Sequence, residues 1–182
     1  GYSITKEIAE ALFTGLAFDT GGFRHSSMTP EIFRMAADLS DTGIDITAIM
    51  NGLFHTKGFV ETKVLGVILQ KAYLYHDQIV VSAMETKDFQ AVGATSDDSE
   101  GAVATLAEVS EAEVAVFLRE LAPNTIRVNM RSKHRVDVAA VARAFGGGGH
   151  VRAAGCTVSG PIEPVCQRIL REIMKQLPED AE

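Results

Sequence analysis

Phe145-Gly146-Gly147-Gly148-Gly149-His150-Val151-Arg152-Ala153-Ala154-Gly155-Cys156 is the stretch on which the reading of this chain turns. Before it, Asp137 stands as the cap of an apolar helix that runs through Phe145; after it, residues 156–159 read as an apolar strand. A helix, four glycines and a strand in immediate succession place the loop inside an α/β domain. Four consecutive glycines leave a backbone with no side chains to hold a ligand away, and they allow positive φ at little steric cost. Val151 to Gly155 is read as the opening of a short helix. A loop of this kind aims several N–H groups at an anion, and a helix N-terminus adds a favourable dipole. The arrangement points to a phosphate-bearing ligand with His150 and Arg152 beside it. A flexible linker is the plain alternative, but linkers are usually rich in serine and other polar residues.

Working outward, the 182 residues suffice for one ordinary domain or two small ones. The chain is 46% hydrophobic and 23% charged, the balance of a soluble globular protein. No apolar run approaches the roughly 18–20 residues needed to span a bilayer, so no membrane partner is expected. The formal net charge of −7 argues against non-specific binding to long nucleic acid, but leaves room for a local basic pocket that grips a short ligand. Cys156 and Cys166 match no zinc or C-x-x-C spacing and read as buried reduced thiols, in keeping with a cytoplasmic protein.

The first third of the chain is helical in pattern. Ile8, Leu12, Phe13 and Leu16 recur at helical spacing in residues 5–17, and a polar glycine-containing loop follows through Ser27. Thr29-Pro30-Glu31 is a strong helix start, with Ile32, Phe33, Ala36 and Leu39 inward; Asp45 caps a short helix carrying Ile46, Ile49, Met50 and Leu53. Residues 55–58 read as a break before a longer helix with Val60, Val64, Leu65, Ile68 and Ala72. Beyond Tyr75 the pattern turns mixed. Residues 78–84 are β-rich, residues 95–101 a polar loop, and residues 102–107 a helix. Residues 113–119 and 125–132 form a hairpin around Pro123-Asn124, and a last helix spans residues 161–177 with Val165, Ile169, Ile173 and Leu177 on one face. The expected fold class is α/β: a helical unit over residues 1–55, a connector helix over 56–75, and a mixed α/β domain with a β-hairpin over 76–182. The start at Gly1-Tyr2-Ser3, without a methionine, leads straight into a helix, so the chain is expected to begin inside a larger domain.

Two further clusters carry chemistry. Asp19, in Asp19-Thr20-Gly21, follows an apolar helix and precedes a glycine turn, a setting that points a carboxylate into a cleft, where hard divalent cations prefer oxygen ligands. Arg131-Ser132-Lys133-His134-Arg135 follows the second hairpin strand; Arg131 offers a planar fork for phosphate and Ser132 a hydroxyl. A turn aspartate and a solvated basic turn are the plain alternatives.

In order and spacing, Arg131-Ser132 … Asp137-Val138 … Ala142 … Phe145 to His150 … Ala153 to Cys156 resembles the associated substrate domain of the DHH phosphoesterases. Gly15-Leu16 … Asp19 to Ser26 … Thr29-Pro30-Glu31 is similar to the last metal-ligand motif of their catalytic domain. Asp98-Ser99-Glu100-Gly101, followed by Glu113 to Phe117, resembles their substrate domain again. The likeness is greatest to the NrnA-type oligoribonucleases and pAp phosphatases, with RecJ-like exonucleases more distant. It covers nearly the whole chain.

Such a resemblance implies a hydrolase that cleaves phosphoester bonds of short RNA oligonucleotides or pAp with two Mn²⁺ or Mg²⁺ ions. It implies that Asp19 is a metal ligand. It implies that Arg131, Ser132, Gly147, Gly148, Gly149 and His150 contact the substrate, with Arg24 and His25 lining its cleft. The Asp-His-His triplet and the other early ligands of the family are absent here. The chain therefore resembles the C-terminal part of such an enzyme, with no complete catalytic set, and is expected to be inactive alone. A cyclic-dinucleotide phosphodiesterase and a non-catalytic nucleotide or RNA-end binding module are the alternatives; a homodimer stays open.

Overall fold

Thr5 and Asp45 set the first and third helices by the same device. Each side-chain oxygen accepts a backbone N–H three residues on, from Ile8 at 3.4 Å and from Ala48 at 2.9 Å. The computed structural model describes residues 4–24 and 28–177. Its first part comprises α1 (Lys6–Asp19), α2 (Pro30–Ser40) and α3 (Ile46–Met50), the last continuing as a π-helical turn over Asn51–His55. Their core is Ala9, Phe13, Ala17, Leu39 and Ile44, with Phe23, Met50 and Phe54 packed against it.

That core corrects the face expected for α1. Ala9, Phe13 and Ala17 point inward, while Ile8 and Leu12 are about half exposed. The two stripes are adjacent on the helix, and the small alanines let neighbouring helices approach closely. In α2 only Leu39 is fully buried; Phe33 is exposed and stacks on Phe23 at 5.9 Å instead of entering the core.

The second part is a mixed α/β unit. Its elements are α4 (Phe59–Gln70), β1 (Tyr73–Tyr75), β2 (Ile79–Met84), α5 (Thr86–Ala91), α6 (Ala102–Leu106), β3 (Val114–Ala122) and β4 (Thr125–Ser132), then α7 (Val138–Ala144), β5 (Gly148–His150), β6 (Ala153–Ser159) and α8 (Ile162–Met174). The strands form one sheet in the order β1-β2-β3-β4-β6-β5, antiparallel except for the parallel pair β2·β3. The short strand β1 and the helix α5 carry no pattern long enough to mark them in the sequence. Glu85 and Asp88 nonetheless cap α5, the Asp88 carboxylate accepting the Glu85 N–H at 2.8 Å.

Helices cover the two faces of the sheet unequally. On one face, α7 and α8 pack over β3, β4 and β6 through Val141, Ile169 and Ile173. On the other, α4, α5 and α6 pack over β2 and β3 through Ile68, Phe89 and Leu106. Strand β3 is therefore buried on both sides from Val114 to Leu118 and reads as a continuous apolar run. Strand β4 alternates instead: Ile126, Val128 and Met130 are buried, and Arg127, Asn129 and Arg131 are not. Strand β6 does the same with Ala154, Cys156 and Val158. Half of one sheet face is thus left polar and open, and the candidate site lies there. The Ser82 hydroxyl donates to the Ile68 carbonyl at 2.8 Å, and Lys71 pairs with Asp88, fastening α4 to the sheet unit.

By contacts the chain divides into Gly1–Lys57 and Gly58–Glu182. The core residues of each belong to that unit alone.

The expected short helix after His150 does not form. Residues 148–150 and 153–159 are two antiparallel strands joined by a turn at Val151-Arg152. Sterics explain why. A Cβ at Gly147 would lie 2.5 Å from the Cβ of Cys156, and one at Gly149 2.6 Å from the Cα of Ala154. The glycines let this segment press flat against β6, and that pairing satisfies backbone groups a single helical turn would leave open.

Candidate functional site

Register alignment brings two of the predicted phosphate contacts, Arg131 and His150, into one row. Arg131 on β4 lies directly opposite Ala153 on β6, and Ala153 lies opposite His150 on β5. Directly opposed residues share a sheet face, so Arg131 and His150 stand on the same side, two strands or about 10 Å apart. The small Ala153 lies between them and leaves the space open. Arg131 is half-buried, and that burial lowers its pKa from the usual arginine value. His150 is exposed at the end of the edge strand.

The glycine run divides its work. The Gly146 and Gly147 N–H groups donate to the Arg143 and Ala142 carbonyls at 3.1 and 2.9 Å, closing the end of α7. Gly148 and Gly149 pair with β6 as the edge strand, exposed on their outer side. This loop therefore ends in an exposed strand edge. The helix dipole expected after His150 is absent from it.

The loop after β4 is built around a carboxylate. Glu113 is buried, and its Oε1 accepts the N–H groups of His134 at 2.9 Å, Arg135 at 2.5 Å and Val136 at 3.2 Å. Burial acts to raise its pKa, but these three donors outweigh it and hold the carboxyl below the usual glutamate range. Arg152 braces the same loop, donating to the carbonyls of Val136 and His134. Lys133 Nζ donates to the Val109 carbonyl at 2.5 Å. The Ser132 hydroxyl donates to the Val136 carbonyl at 2.7 Å, so its proton is engaged within the loop, and strand alternation sets it on the face opposite Arg131. Lys133 in this turn and Arg152, reaching over from the β5–β6 turn, are thus fasteners.

A cavity of about 220 Å³ adjoins Arg131. Phe117, Ala102 and Val103 give it an apolar lining; Arg119, Asn129 and Arg131 give it a polar one. Arg119 and Asn129 were not singled out in the sequence. The alternation of Arg127, Asn129 and Arg131 with apolar residues is the signal that marks Asn129 as facing the same way as Arg131.

Asp19 and Arg24 belong to the other unit. Asp19 is the last residue of α1 and, with Asp38, lines a mostly apolar groove of about 530 Å³ beside Leu12, Leu16 and Met35. The Arg24 Nε donates to the Gly21 carbonyl at 3.0 Å across a turn in which Gly21, Gly22 and Phe23 all have positive φ. His25 lies outside the described residues. Among the described residues no three His, Cys, Asp or Glu side chains come together to hold a metal ion, so this donor set does not by itself fit a divalent pair. No helix among them is long and apolar enough to cross a membrane.

The chain is 31% identical over 179 residues to the bifunctional oligoribonuclease and PAP phosphatase NrnA of Thermus thermophilus, a match that takes in 97% of this chain and 53% of that protein. It is 28% identical over 158 residues to the Bacillus subtilis protein of the same name, covering 87% of this chain and 50% of the relative. The chain thus spans about half the length of these curated relatives. A crystal structure of an exopolyphosphatase-related protein from Bacteroides fragilis superposes with a TM-score of 0.88 at 28% identity, over 94% of this chain and 51% of that one. Residues 76–178, which contain the open sheet face, Arg131 and the glycine-histidine strand, match the DHHA1 domain, and the chain belongs to that family.

Proposed function

We propose that this chain is the substrate-gripping portion of a divalent-metal-dependent phosphoesterase that acts on short oligoribonucleotides and on pAp. The placement of Arg131 and His150 in one register row, with only Ala153 between them, carries the reading. A guanidinium fork and an imidazole facing one open space make a phosphate clamp: Arg131 meets two oxygens, and His150 meets the same group from the strand edge. The Gly148-Gly149 edge lets a ligand backbone lie close, because no side chain stands off from it. The names of the relatives, which pair oligoribonuclease with PAP phosphatase, support a short substrate with a terminal phosphate, as does the acidic net charge of −7.

In this reading Asp19 is one carboxylate of a site for two Mn²⁺ or Mg²⁺ ions, the other ligands coming from outside the described residues. Such ions supply an activated water and charge stabilisation when bound. In this reading Arg24 and His25 contact the substrate once the metal site is complete. The 182-residue chain by itself binds without turning over.

Calorimetric titration of the chain with pAp and pApA, beside a His150→Ala version and without metal, tests the clamp. The expected result is binding that the substitution weakens by about tenfold or more, the loss of one charge-assisted contact. Binding indifferent to His150 refutes the clamp, and no binding by a well-folded wild-type chain refutes recognition by this portion alone.

A further inference from the structure

The cavity beside Arg131 has features that the clamp does not use. Two guanidiniums, Arg119 and Arg131, line it from opposite ends of the β3·β4 pair, with the directly opposed residues Phe117 and Asn129 between them. Phe117 is buried and makes an apolar floor; Asn129 adds an amide. Glu100 is the one carboxylate in the lining. Among the described residues no ion pair joins it, or any other acid, to either arginine.

Arg119 is held in place from behind. Its Nη1 donates to the Ser96 carbonyl at 2.7 Å and to the Ser99 hydroxyl at 3.1 Å, and Ser99 in turn donates to Ser96 at 2.6 Å. Its Nε–H is shielded from solvent and meets no acceptor among the described residues. A buried cationic donor without an acceptor is costly, so the guanidinium gains a hydrogen bond by turning toward an anion in the cavity. At about 220 Å³ the space falls below the roughly 300–1,000 Å³ of pockets that enclose a drug-sized ligand. It takes one group of a ligand rather than a whole nucleotide.

We infer that this cavity is a second anion subsite, in which Arg119 and Asn129 receive the phosphate next to the one held between Arg131 and His150. The inference rests on the proposed clamp and deepens it: the ligand is a short molecule bearing two phosphates, one for each subsite. Arg131 borders both and sets the spacing. Ser99 is a positioning residue that acts through Arg119.

Two measurements test this on the whole chain. In the first, inorganic phosphate is titrated into ¹⁵N-arginine-labelled protein while the Arg119 Nε–H resonance is followed. It is expected to shift and saturate, and to do so in His150→Ala as well. In the second, pAp and AMP, which differ by one phosphate, are titrated into wild type, Arg119→Gln and Arg119→Lys. Arg119→Gln is expected to weaken pAp by about tenfold and AMP by less than about twofold, with Arg119→Lys recovering part of the loss. Should Arg119→Gln fail to fold, the phosphate titration and Arg119→Lys decide. Equal losses for the two nucleotides, or no loss, overturn the second subsite, as does an Arg119 resonance indifferent to phosphate. His150-dependent nucleotide binding with a silent Arg119 sinks the subsite and leaves the clamp. A phosphate-responsive Arg119 in a chain that binds neither nucleotide sinks the clamp and leaves an anion site.

Discussion

At Gly149 the backbone has φ of +141°, and an added Cβ would lie 2.5 Å from the Ala153 carbonyl oxygen. Backbone cannot yield there as a flexible side chain would. Gly149→Ala is therefore expected to destabilise the chain by about 1–3 kcal/mol, the usual penalty of overpacking, and to displace His150, the next residue. Gly148, between two crowded neighbours, has nothing within 4 Å of its Cβ position and no positive φ. Gly148→Ala should stay within about 0.5 kcal/mol of wild type. Thermal melts of the two variants check the contrast; equal losses would show that strand pairing, not Cβ room, limits this segment. The four glycines were conspicuous in the sequence, but their division of labour was not. Which glycine closes a helix and which lies against β6 depends on where Cys156 and Ala154 arrive from across the sheet. Arg119 was hidden for a related reason: it follows the apolar run of β3 and reads as its end, and only the register beside Asn129 brings it to a cavity.

Among the elements, the segment from β4 to α7 depends most on a single group. Glu113 lies just before β3, yet it ties down three successive N–H groups twenty-odd residues later in the chain. Hydrogen bonds to a charged acceptor contribute about 1.5–3 kcal/mol each way of breaking them, so Glu113→Gln is expected to cost about 2 kcal/mol at neutral pH. The sign of its pH dependence follows from the lowered pKa. A carboxyl depressed in the folded state stabilises fully above its unfolded pKa, and the stabilisation is lost as pH falls through the folded value. The gap between wild type and Glu113→Gln in urea unfolding should therefore be widest near neutrality and close in acid below the usual glutamate range. A gap constant across that range would refute the charge argument. The start of α7 was legible because Asp137 caps it, accepting the Ala140 N–H at 2.9 Å. Asp137→Ala should lower stability by about 1 kcal/mol, read in the same unfolding experiment. By contrast, Glu113 offered no local signal, because its partners are remote in sequence. The misread helix after His150 has the same root: Val151 to Gly155 suits a helix locally, and the strand partner that overrides it lies elsewhere in the chain.

The whole chain is two units with unequal means of standing alone. Residues 58–182 bury apolar side chains on both faces of a six-stranded sheet, including Phe117, Leu118, Ile169 and Ile173 at 2% exposure or less, and their number is in the ordinary size range of a domain. The open half-face with Arg131, His150 and the adjoining cavity lies entirely within this unit. Residues 58–182 expressed alone are therefore expected to melt cooperatively and to bind pAp within about threefold of the longer chain, with the same sensitivity to His150→Ala. Residues 1–57 have a core of two alanines with Phe13, Leu39 and Ile44, while Ile8, Leu12, Phe18, Phe33 and Met35 remain about half exposed or more. A chain of about 60 residues is marginal even with a well-buried core, so this piece should show only weak, non-cooperative helical structure. Circular dichroism melts of both pieces, with calorimetry on the larger, decide the matter. A cooperative melt for residues 1–57 would mean that its exposed apolar face is no handicap. Loss of pAp binding from a folded 58–182 would mean that Asp19, Arg24 or another group of the first unit takes part in holding the ligand, and the phosphate clamp would then have to be extended beyond the sheet.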